Sequence, residues 1–149
     1  MTGETKIVEK LTGLVIFEVA NQEFCVDIKD LSAILNPSEL KQKIPVNAEE
    51  DIQVNIREQS IPILSFKKMF GFKQKETHLE DLRILVVELN NKIFGLLVEK
   101  VKEVFTMTRE LKKNMKFIPL KGKTNLLGVL RYEGRSIYVP DINKLMVES

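Results

Sequence analysis

The 149-residue sequence contains one cysteine, one histidine and no tryptophan. A single cysteine, Cys25, excludes a disulfide within the chain. Nucleophilic catalysis needs a nucleophile held beside a base, and a zinc site needs about four ligands, but the sequence places no such partners around Cys25 or His78. We therefore predict a protein without cofactor, metal or enzymatic activity, in which Cys25 is a packing residue and His78 lies in a solvated loop.

Long apolar runs and a strong excess of one charge are also missing. No apolar segment approaches the roughly 18 residues that a membrane span needs, and the N-terminus lacks the basic-then-apolar order of a secretory signal. The formal net charge of +2 is too small to indicate a polyanionic partner by itself. These absences, with the single cysteine, favour a cytoplasmic protein that does not insert into a membrane.

What the sequence does contain is a pattern that occurs twice. Residues 14–35 align with residues 84–105 when Glu18 is set on Glu88. A second segment follows each copy, at residues 57–70 and 133–146. The aligned apolar pairs are Phe24 with Phe94, Val26 with Leu96, Ile28 with Val98, Leu31 with Val101, Ile34 with Val104, Ile61 with Ile137, and Ile63 with Val139. The repeat therefore indicates an internal duplication.

Each copy has the pattern of a β-hairpin. β-Branched and aromatic residues at 14–19 and alternating residues at 24–28 predict two strands with a turn between them. The same pair recurs around Asn90-Asn91, which tolerate the positive φ of a tight turn. Further strands are predicted at 52–56, 60–64, 128–131 and 136–139, and Pro62 within one of them indicates an edge or a bulge.

Strands outnumber helical stretches, so we predict a mainly β protein of two small barrel-like lobes packed together, with few short helices. The first lobe covers about 14–72 and the second about 82–140, with a C-terminal turn at 141–146 packing back. The charged stretch Lys73–Asp81 is the predicted linker. Asn36 and Asp141 are predicted to cap a short helix each.

The polar stretch Thr106–Asn125 suggests an alternative function. Five lysines surround Phe117 there, and a basic patch with an interleaved aromatic can bind single-stranded nucleic acid. A small β-barrel nucleic-acid-binding module is therefore the alternative to a protein-binding role, although no nucleic acid is the expectation for the leading hypothesis. A solvated loop explains the same lysines.

Apolar residues recur three apart at the end of each repeat copy. They are Ile28, Leu31 and Ile34 in the first copy, and Val98, Val101 and Val104 in the second. They are either core residues or the lining of a seam between the lobes, where an apolar helix could dock.

In order and spacing, four segments resemble the CheW-like family of chemotaxis coupling proteins, from about Leu14 to Met146. The segments are FEVANQEFCVDIKDLSAIL, VNIREQSIPILSFKKMFG, VVELNNKIFGLLVEKVKEVF and GVLRYEGRSIYVPDINKLM. The resemblance implies two SH3-like five-stranded β-barrel lobes and a scaffold without catalytic activity. It also implies two partners: the cytoplasmic tip of a methyl-accepting chemoreceptor, and the regulatory domain of a CheA-like histidine kinase in a two-component system.

The resemblance also implies binding residues. Asn55-Ile56-Arg57 matches the family's Asn-Leu-Arg stretch, which would place Arg57 beside the receptor groove. The apolar positions at or near that groove match Leu31, Ile34, Val98 and Val101. The surface used against the kinase matches Pro45, Val46 and the hairpin that begins at Ile52 and includes Ile56.

Several departures from the family pattern fall in the first copy. The family's usual glycines are replaced by Ile52 and Glu58, a usual Asp by Ser65, and a usual acidic residue by Ala33. Glycine at such places permits unusual φ or close backbone approach. We therefore expect the first copy to be where this chain selects its own partners.

Overall fold

The structure is a computed structural model that describes residues 3–40, 52–65, 79–122 and 125–148. Strands make up most of the described chain. The helices are α1 (Gly3–Lys10), α2 (Arg109–Lys113) and α3 (Ile142–Glu148). The strands are β1 (Gly13–Val19), β2 (Gln22–Asp27), β3 (Leu31–Leu35), β4 (Ile52–Ile56), β5 (Gln59–Ser65), β6 (Arg83–Leu89), β7 (Lys92–Val98), β8 (Lys100–Thr106), β9 (Met115–Pro119), β10 (Leu126–Tyr132) and β11 (Arg135–Pro140).

Four two-residue turns close the hairpins. Both central residues have positive φ in the turns at Ala20-Asn21, Arg57-Glu58, Asn90-Asn91 and Glu133-Gly134. Two positive φ values define the turn type whose twist matches that of the flanking strands. The hairpin predicted around Asn90-Asn91 is therefore confirmed, and the strands predicted at 128–131 and 136–139 form a hairpin closed by Glu133-Gly134.

The strands form two sheets. The six-stranded sheet has the order β8-β1-β2-β11-β10-β9, and the five-stranded sheet has the order β3-β6-β7-β5-β4. We call these the six-stranded lobe and the five-stranded lobe. Together they confirm the predicted mainly β fold of two barrel-like lobes, with one strand more than expected in the first of them.

The sheets do not follow the predicted lobe boundaries of about 14–72 and about 82–140. The hairpin β1-β2 from the first repeat copy lies in the six-stranded sheet, whereas β3 after it crosses to the five-stranded sheet. In the second copy, β6-β7 lies in the five-stranded sheet and β8 crosses to the six-stranded sheet. Each lobe is therefore built from both halves of the chain.

The two crossing strands make equivalent pairings. β3 pairs antiparallel with β6, and β8 pairs antiparallel with β1. Leu31 faces Val87 in the first pair, and Val101 faces Phe17 in the second. Because Leu31 aligns with Val101 in the repeat, the lobes are related by an approximate two-fold symmetry that exchanges β3 and β8.

Three apolar clusters fill the part of the molecule that the structure describes. One lies inside each lobe, and the third, the inter-lobe core, lies between the two central hairpins. Alternate residues of β1 point to different clusters: Leu14 and Ile16 to the six-stranded lobe, and Val15 and Phe17 to the inter-lobe core. Strands buried on both faces have continuous apolar sequences, which explains the unbroken apolar run of β1.

The expected caps at the short helices are present. The Asn36 side-chain oxygen accepts a hydrogen bond from the Ser38 amide at 3.1 Å, at the start of the 3-10 helix Pro37–Glu39. The Asp141 carboxylate accepts one from the Lys144 amide at 3.1 Å at the start of α3. Of the predicted linker, only its end is described, as the 3-10 helix Leu79–Asp81.

The stretch Thr106–Asn125 contains regular structure that the sequence analysis did not identify. It holds α2 and the edge strand β9, whose side chains alternate between buried and exposed. Phe117, in β9, is 3% exposed and belongs to the core of the six-stranded lobe. The patterning was masked because the outward positions of a surface strand carry lysine.

Candidate functional site

The crossing strands β3 and β8 form equivalent edges of the two lobes. Each lies at the end of its sheet, beside a hairpin that contributes to the inter-lobe core. Each pairing also contains a one-residue irregularity, between Leu31 and Ala33 in β3 and opposite Ile16 and Phe17 in β1. Bulges at sheet edges redirect side chains and limit further strand pairing.

Both edges expose apolar side chains. Ile34 is 40% exposed and Val104 is 55% exposed. Leu31 and Val101 are half-buried and pack against the inter-lobe core. The structure therefore places three of the predicted receptor-binding residues, with the unassigned Val104, on two symmetry-related edges where apolar surface continues outward from the core.

Val98 lies elsewhere. It is 1% exposed and belongs to the inter-lobe core. The three-residue spacing did not distinguish it from Val101, because β7 ends at Val98 and β8 begins at Lys100. Its side chain can support the nearby surface by packing, and it presents no area to a partner in this conformation.

Arg57 lies close to β3. It is exposed in the turn between β4 and β5, with φ of 51°. A cavity of about 220 Å³ is lined by Arg57, by Ser32 and Ala33 of β3, and by Ile93 of β7. The structure thus brings the guanidinium-bearing turn and the predicted apolar edge to one region of the five-stranded lobe.

The predicted kinase-binding residues are only partly described. Pro45 and Val46 lie outside the described residues. Ile52 begins β4 and pairs with Ile63 of β5. Ile56 is 8% exposed and packs inside the five-stranded lobe, so its side chain holds the hairpin in place.

A cluster of ion pairs that the sequence analysis missed lies across the six-stranded sheet. Arg135 donates two hydrogen bonds to the Glu23 carboxylate, at 3.0 and 2.6 Å, and its guanidinium lies 2.9 Å from Glu103. Lys102 lies 3.5 Å from both Glu18 and Glu23. The hydrogen bond from Arg135 is the main cause that holds the pKa of Glu23 below its ordinary value.

The repeat contained a signal for this cluster. Glu23 aligns with Ile93, and Arg135 aligns with Gln59, when the copies are superposed as above. Opposite charges that appear at facing positions in only one copy indicate a pair specific to that lobe. This charge difference between the copies predicts an ion pair only when β2 and β11 are known to be neighbouring strands. The structure shows that they are, through the backbone pairs Ile137–Glu23 and Tyr138–Phe24.

Cys25 is confirmed as a packing residue. It is 2% exposed in the core of the six-stranded lobe, and burial raises the pKa of its thiol to about 12. A thiol with such a pKa is a poor nucleophile at neutral pH. His78 lies outside the described residues. Within the described ranges, no group of three or more His, Cys, Asp or Glu side chains could hold a metal ion.

The lysine-rich stretch lacks the stacking platform that nucleic-acid binding would use. Phe117 points into the core, and Lys112 donates a hydrogen bond through Nζ to the Glu9 carbonyl at 2.6 Å. Base stacking needs an accessible aromatic face.

In the part of the chain that the structure describes, no helix is long and apolar enough to cross a membrane.

Known proteins match this chain over most of its length. The protein named chemotaxis protein CheW from Rhizobium meliloti is 26% identical over 133 residues, which cover 89% of this chain and 85% of that protein. The probable chemotaxis protein CheW from Rhizobium etli is 27% identical over 104 residues, 66% of this chain and 63% of that protein.

A solved structure has the same fold. The crystal structure of scaffolding protein TtCheW from Thermoanaerobacter tengcongensis superposes with a TM-score of 0.68, covering 87% of this chain and 84% of the other. The sequence identity is 24%. The model of the CheW-like domain matches residues 13–149, which include every strand described above. This chain therefore belongs to the CheW-like family.

Proposed function

We propose that this protein is a non-enzymatic adaptor of bacterial chemotaxis. It binds the cytoplasmic tip of a methyl-accepting chemoreceptor and the regulatory domain of a CheA-like histidine kinase, and it acts in the cytoplasm. The observation that carries the proposal is the CheW-like family match over residues 13–149. Relatives named chemotaxis protein and a structural neighbour described as a scaffolding protein support it.

The receptor side of the proposal concerns β3 and β8. A receptor tip is a helical hairpin, and helices dock by placing apolar side chains into a complementary groove. Ile34 and Val104 are the exposed apolar residues on these strands, with Leu31 and Val101 half-buried beside them. We infer that Ile34 and Val104 make the principal apolar contacts, and that Arg57 adds a charged contact beside β3.

The kinase side of the proposal concerns the hairpin β4-β5 and the segment before it. Pro45, Val46 and Ile52 are the proposed contacts. Ile56 is buried, so we propose that it acts by holding the hairpin in position. The proposed receptor contacts on β3 and β8 and the proposed kinase contacts at Pro45, Val46 and Ile52 are different residues, as an adaptor that binds both partners at once requires. Arg57 belongs to the receptor set although it lies in the turn between β4 and β5.

The proposal is tested by co-sedimentation with soluble receptor signalling fragments and, separately, with the kinase. The unmodified protein should be retained by both. Ile34→Asp and Val104→Asp should each weaken receptor retention by about tenfold or more, because a carboxylate placed in an apolar contact must lose its hydration. Arg57→Ala should weaken the same interaction.

Ile118→Asp is the matched control. Ile118 is 42% exposed, much like Ile34, and lies on β9 at the opposite edge of the six-stranded sheet. Its substitution should leave receptor retention unchanged. Failure of the unmodified protein to be retained by either partner would refute the adaptor function, and normal retention of Ile34→Asp would remove β3 from the receptor surface.

A further inference from the structure

The two lobes differ in where their parallel strands pair. In the five-stranded lobe, β5 pairs with β7 at Ile63–Gly95, Leu64–Leu96 and Ser65–Leu97. In the six-stranded lobe, β11 pairs with β2 only at Ile137–Glu23 and Tyr138–Phe24. The repeat aligns Val139 with Ile63 and Cys25 with Gly95. β5 and β7 thus begin to pair at Ile63 and Gly95, whereas β11 and β2 are no longer paired at the equivalent residues, Val139 and Cys25.

Proline explains the difference. Proline has no backbone N–H and is disfavoured where a strand must donate on both sides. Pro62 precedes the paired segment of β5, and Pro140 follows the paired segment of β11. The expectation that Pro62 marks an edge or a bulge is wrong, because β5 is an interior strand and its register with β4 continues without a shift through Pro62. The strand does lack pairing to β7 at that residue.

The separation of β2 from β11 creates a cavity of about 650 Å³. It is lined by the last residues of both strands and the residue after β11, namely Cys25, Val26, Asp27, Val139, Pro140 and Asp141. α1 contributes Ile7 to the wall, Leu11 follows directly after α1, and α3 contributes Ile142. Cavities of this size and apolar character are typical of sites for small ligands.

The charged groups around the cavity differ in the number of hydrogen bonds and ion pairs that they form. Asp27 accepts hydrogen bonds from the Thr12 hydroxyl at 2.6 Å and from the Lys29 amide at 3.1 Å. Asp141 caps α3. Lys10 and Lys29 also line the cavity, and Lys29 lies 3.7 Å from Asp27.

Asp30 stands apart. Among the described residues, no hydrogen bond to its carboxylate is formed, although it lines the cavity and is half-buried. Burial, and secondly the neighbouring Asp27 carboxylate, raise the pKa of Asp30, although the nearby Lys29 ammonium opposes part of this rise. A cation brought to this carboxylate would restore the stabilisation that it has lost with its water.

We propose that this cavity binds a small amphipathic molecule that has an apolar body and a protonated amine head. The body lies between α1 and the separated strands, against Leu11, Leu130 and Val139, and the amine pairs with Asp30. The cavity lies between the six-stranded lobe and Leu89 of β6, and it is distinct from the proposed receptor surface because its lining includes none of Ile34, Arg57, Val101 and Val104.

The test is titration of the full-length protein, followed by amide chemical shifts, with three six-carbon probes: n-hexylammonium, 1-hexanol and hexanoate. The amine should bind with saturation and shift the amides of residues 25–27 and of Val139 and Asp141. The alcohol should bind about tenfold more weakly, because it lacks the charge-assisted contact, and hexanoate should not bind. Asp30→Asn should reduce amine affinity to that of the alcohol.

Cavity-filling variants separate a real site from a surface effect. Val139→Phe and Leu127→Trp place bulk in the cavity, and both should abolish binding of the amine and of the alcohol. Leu127 is 41% exposed, so the second variant keeps the test valid if the first does not fold. Val104→Phe adds similar bulk on β8, away from the cavity, and should bind normally. The proposal is overturned if no probe gives saturable shifts, if both filled variants still bind, or if amine and alcohol bind equally.

Discussion

Glu58 occupies a backbone conformation that suits glycine. Its φ is 65°, and it follows Arg57, with φ of 51°, in the turn between β4 and β5. The equivalent turn of the second copy has Gly134 at the corresponding position, with φ of 74°. A residue with a Cβ atom loses about 1–2 kcal/mol in this region relative to the right-handed one. The positive φ at this position explains why glycine is usual there in the family, where this chain has Glu58.

We predict that Glu58→Gly stabilises the protein. Relief of the positive-φ strain exceeds the added entropy of the unfolded chain, for a net gain of about 0.5–1 kcal/mol in the free energy of unfolding. Urea unfolding followed by circular dichroism measures the change. Gly134→Ala, the reciprocal control, should destabilise. Equal stability of Glu58→Gly and the unmodified protein would show that contacts of the Glu58 side chain offset the strain.

At the same scale, sequence reasoning succeeded where local chemistry decides the outcome. The Asn90-Asn91 turn, the Asn36 cap and the buried Cys25 each follow from properties of one or two residues. Val98 could not be separated from Val101, because its burial depends on a hairpin that lies far away in the sequence. Exposure of Ile34 and Val104 likewise depends on which strands end each sheet.

Among the elements, the strands β8, β1, β2 and β11 are joined by the ion pairs around Glu23 and Arg135 as well as by their backbone pairing. These pairs lie at the end where β2 and β11 remain together. They stabilise the junction that holds the two strands on one side of the cavity.

We predict that this cluster makes stability depend on pH in the acid range. The pKa of Glu23 is lower in the folded protein than its ordinary value of 4.5. Its contribution is therefore fully present above pH 4.5 and is lost as the pH falls through the lower, folded-state pKa. Glu23→Gln should reduce stability at pH 7 and flatten the loss below pH 4.5. Thermal unfolding between pH 7 and pH 3 measures both effects.

Glu88→Gln provides the control for that series, because Glu88 is the exposed match of Glu18 on β6 and has no part in the cluster. Its pH profile should follow that of the unmodified protein. A Glu23→Gln profile parallel to that of the unmodified protein at every pH would contradict the assigned role of the Glu23–Arg135 pair.

The strands that the sequence analysis missed share a position in their sheets. β3, β8 and β9 are end strands, with one face or edge toward solvent. Charged residues interrupt the apolar positions of β8 and β9, whereas β3 is only five residues long and contains no charged residue. β1, β2, β6 and β7 lie inside the sheets, and their apolar patterns were sufficient to identify them. Alternation in Met115-Lys116-Phe117 was a usable signal for β9, but the surrounding lysines suggested a loop.

For the whole molecule, the exchange of β3 and β8 makes the two lobes interdependent. We predict that a chain divided within the linker, into residues 1–72 and 73–149, yields no folded half, because each sheet would lack strands. Separately expressed halves should give collapsed amide spectra without dispersion, whereas co-expressed halves should restore the dispersed spectrum of the intact chain. A folded isolated half would contradict this account.

The exchange itself could not be predicted from the repeat. Leu31 pairs with Val87 of the second copy, and Phe17 is the residue of the first copy that aligns with Val87. Pairing of Leu31 within its own copy, with Phe17, would therefore satisfy the same apolar pattern as the observed pairing with the other copy. The choice between them depends on the path of the connections and on the inter-lobe core. The sequence established that two similar units exist, and only the three-dimensional structure shows that they share strands.

The exchange of β3 and β8 also gives an advantage to the fusion of both repeat copies in one chain. A single repeat copy could complete its sheet only by exchanging a strand with another molecule, and such a pair would dissociate on dilution. Covalent fusion supplies the second copy at a fixed local concentration that does not depend on the concentration of the protein. Assembly of the two lobes is thereby made independent of how much of the protein the cell contains, and either copy can then change its surface while its partner remains attached.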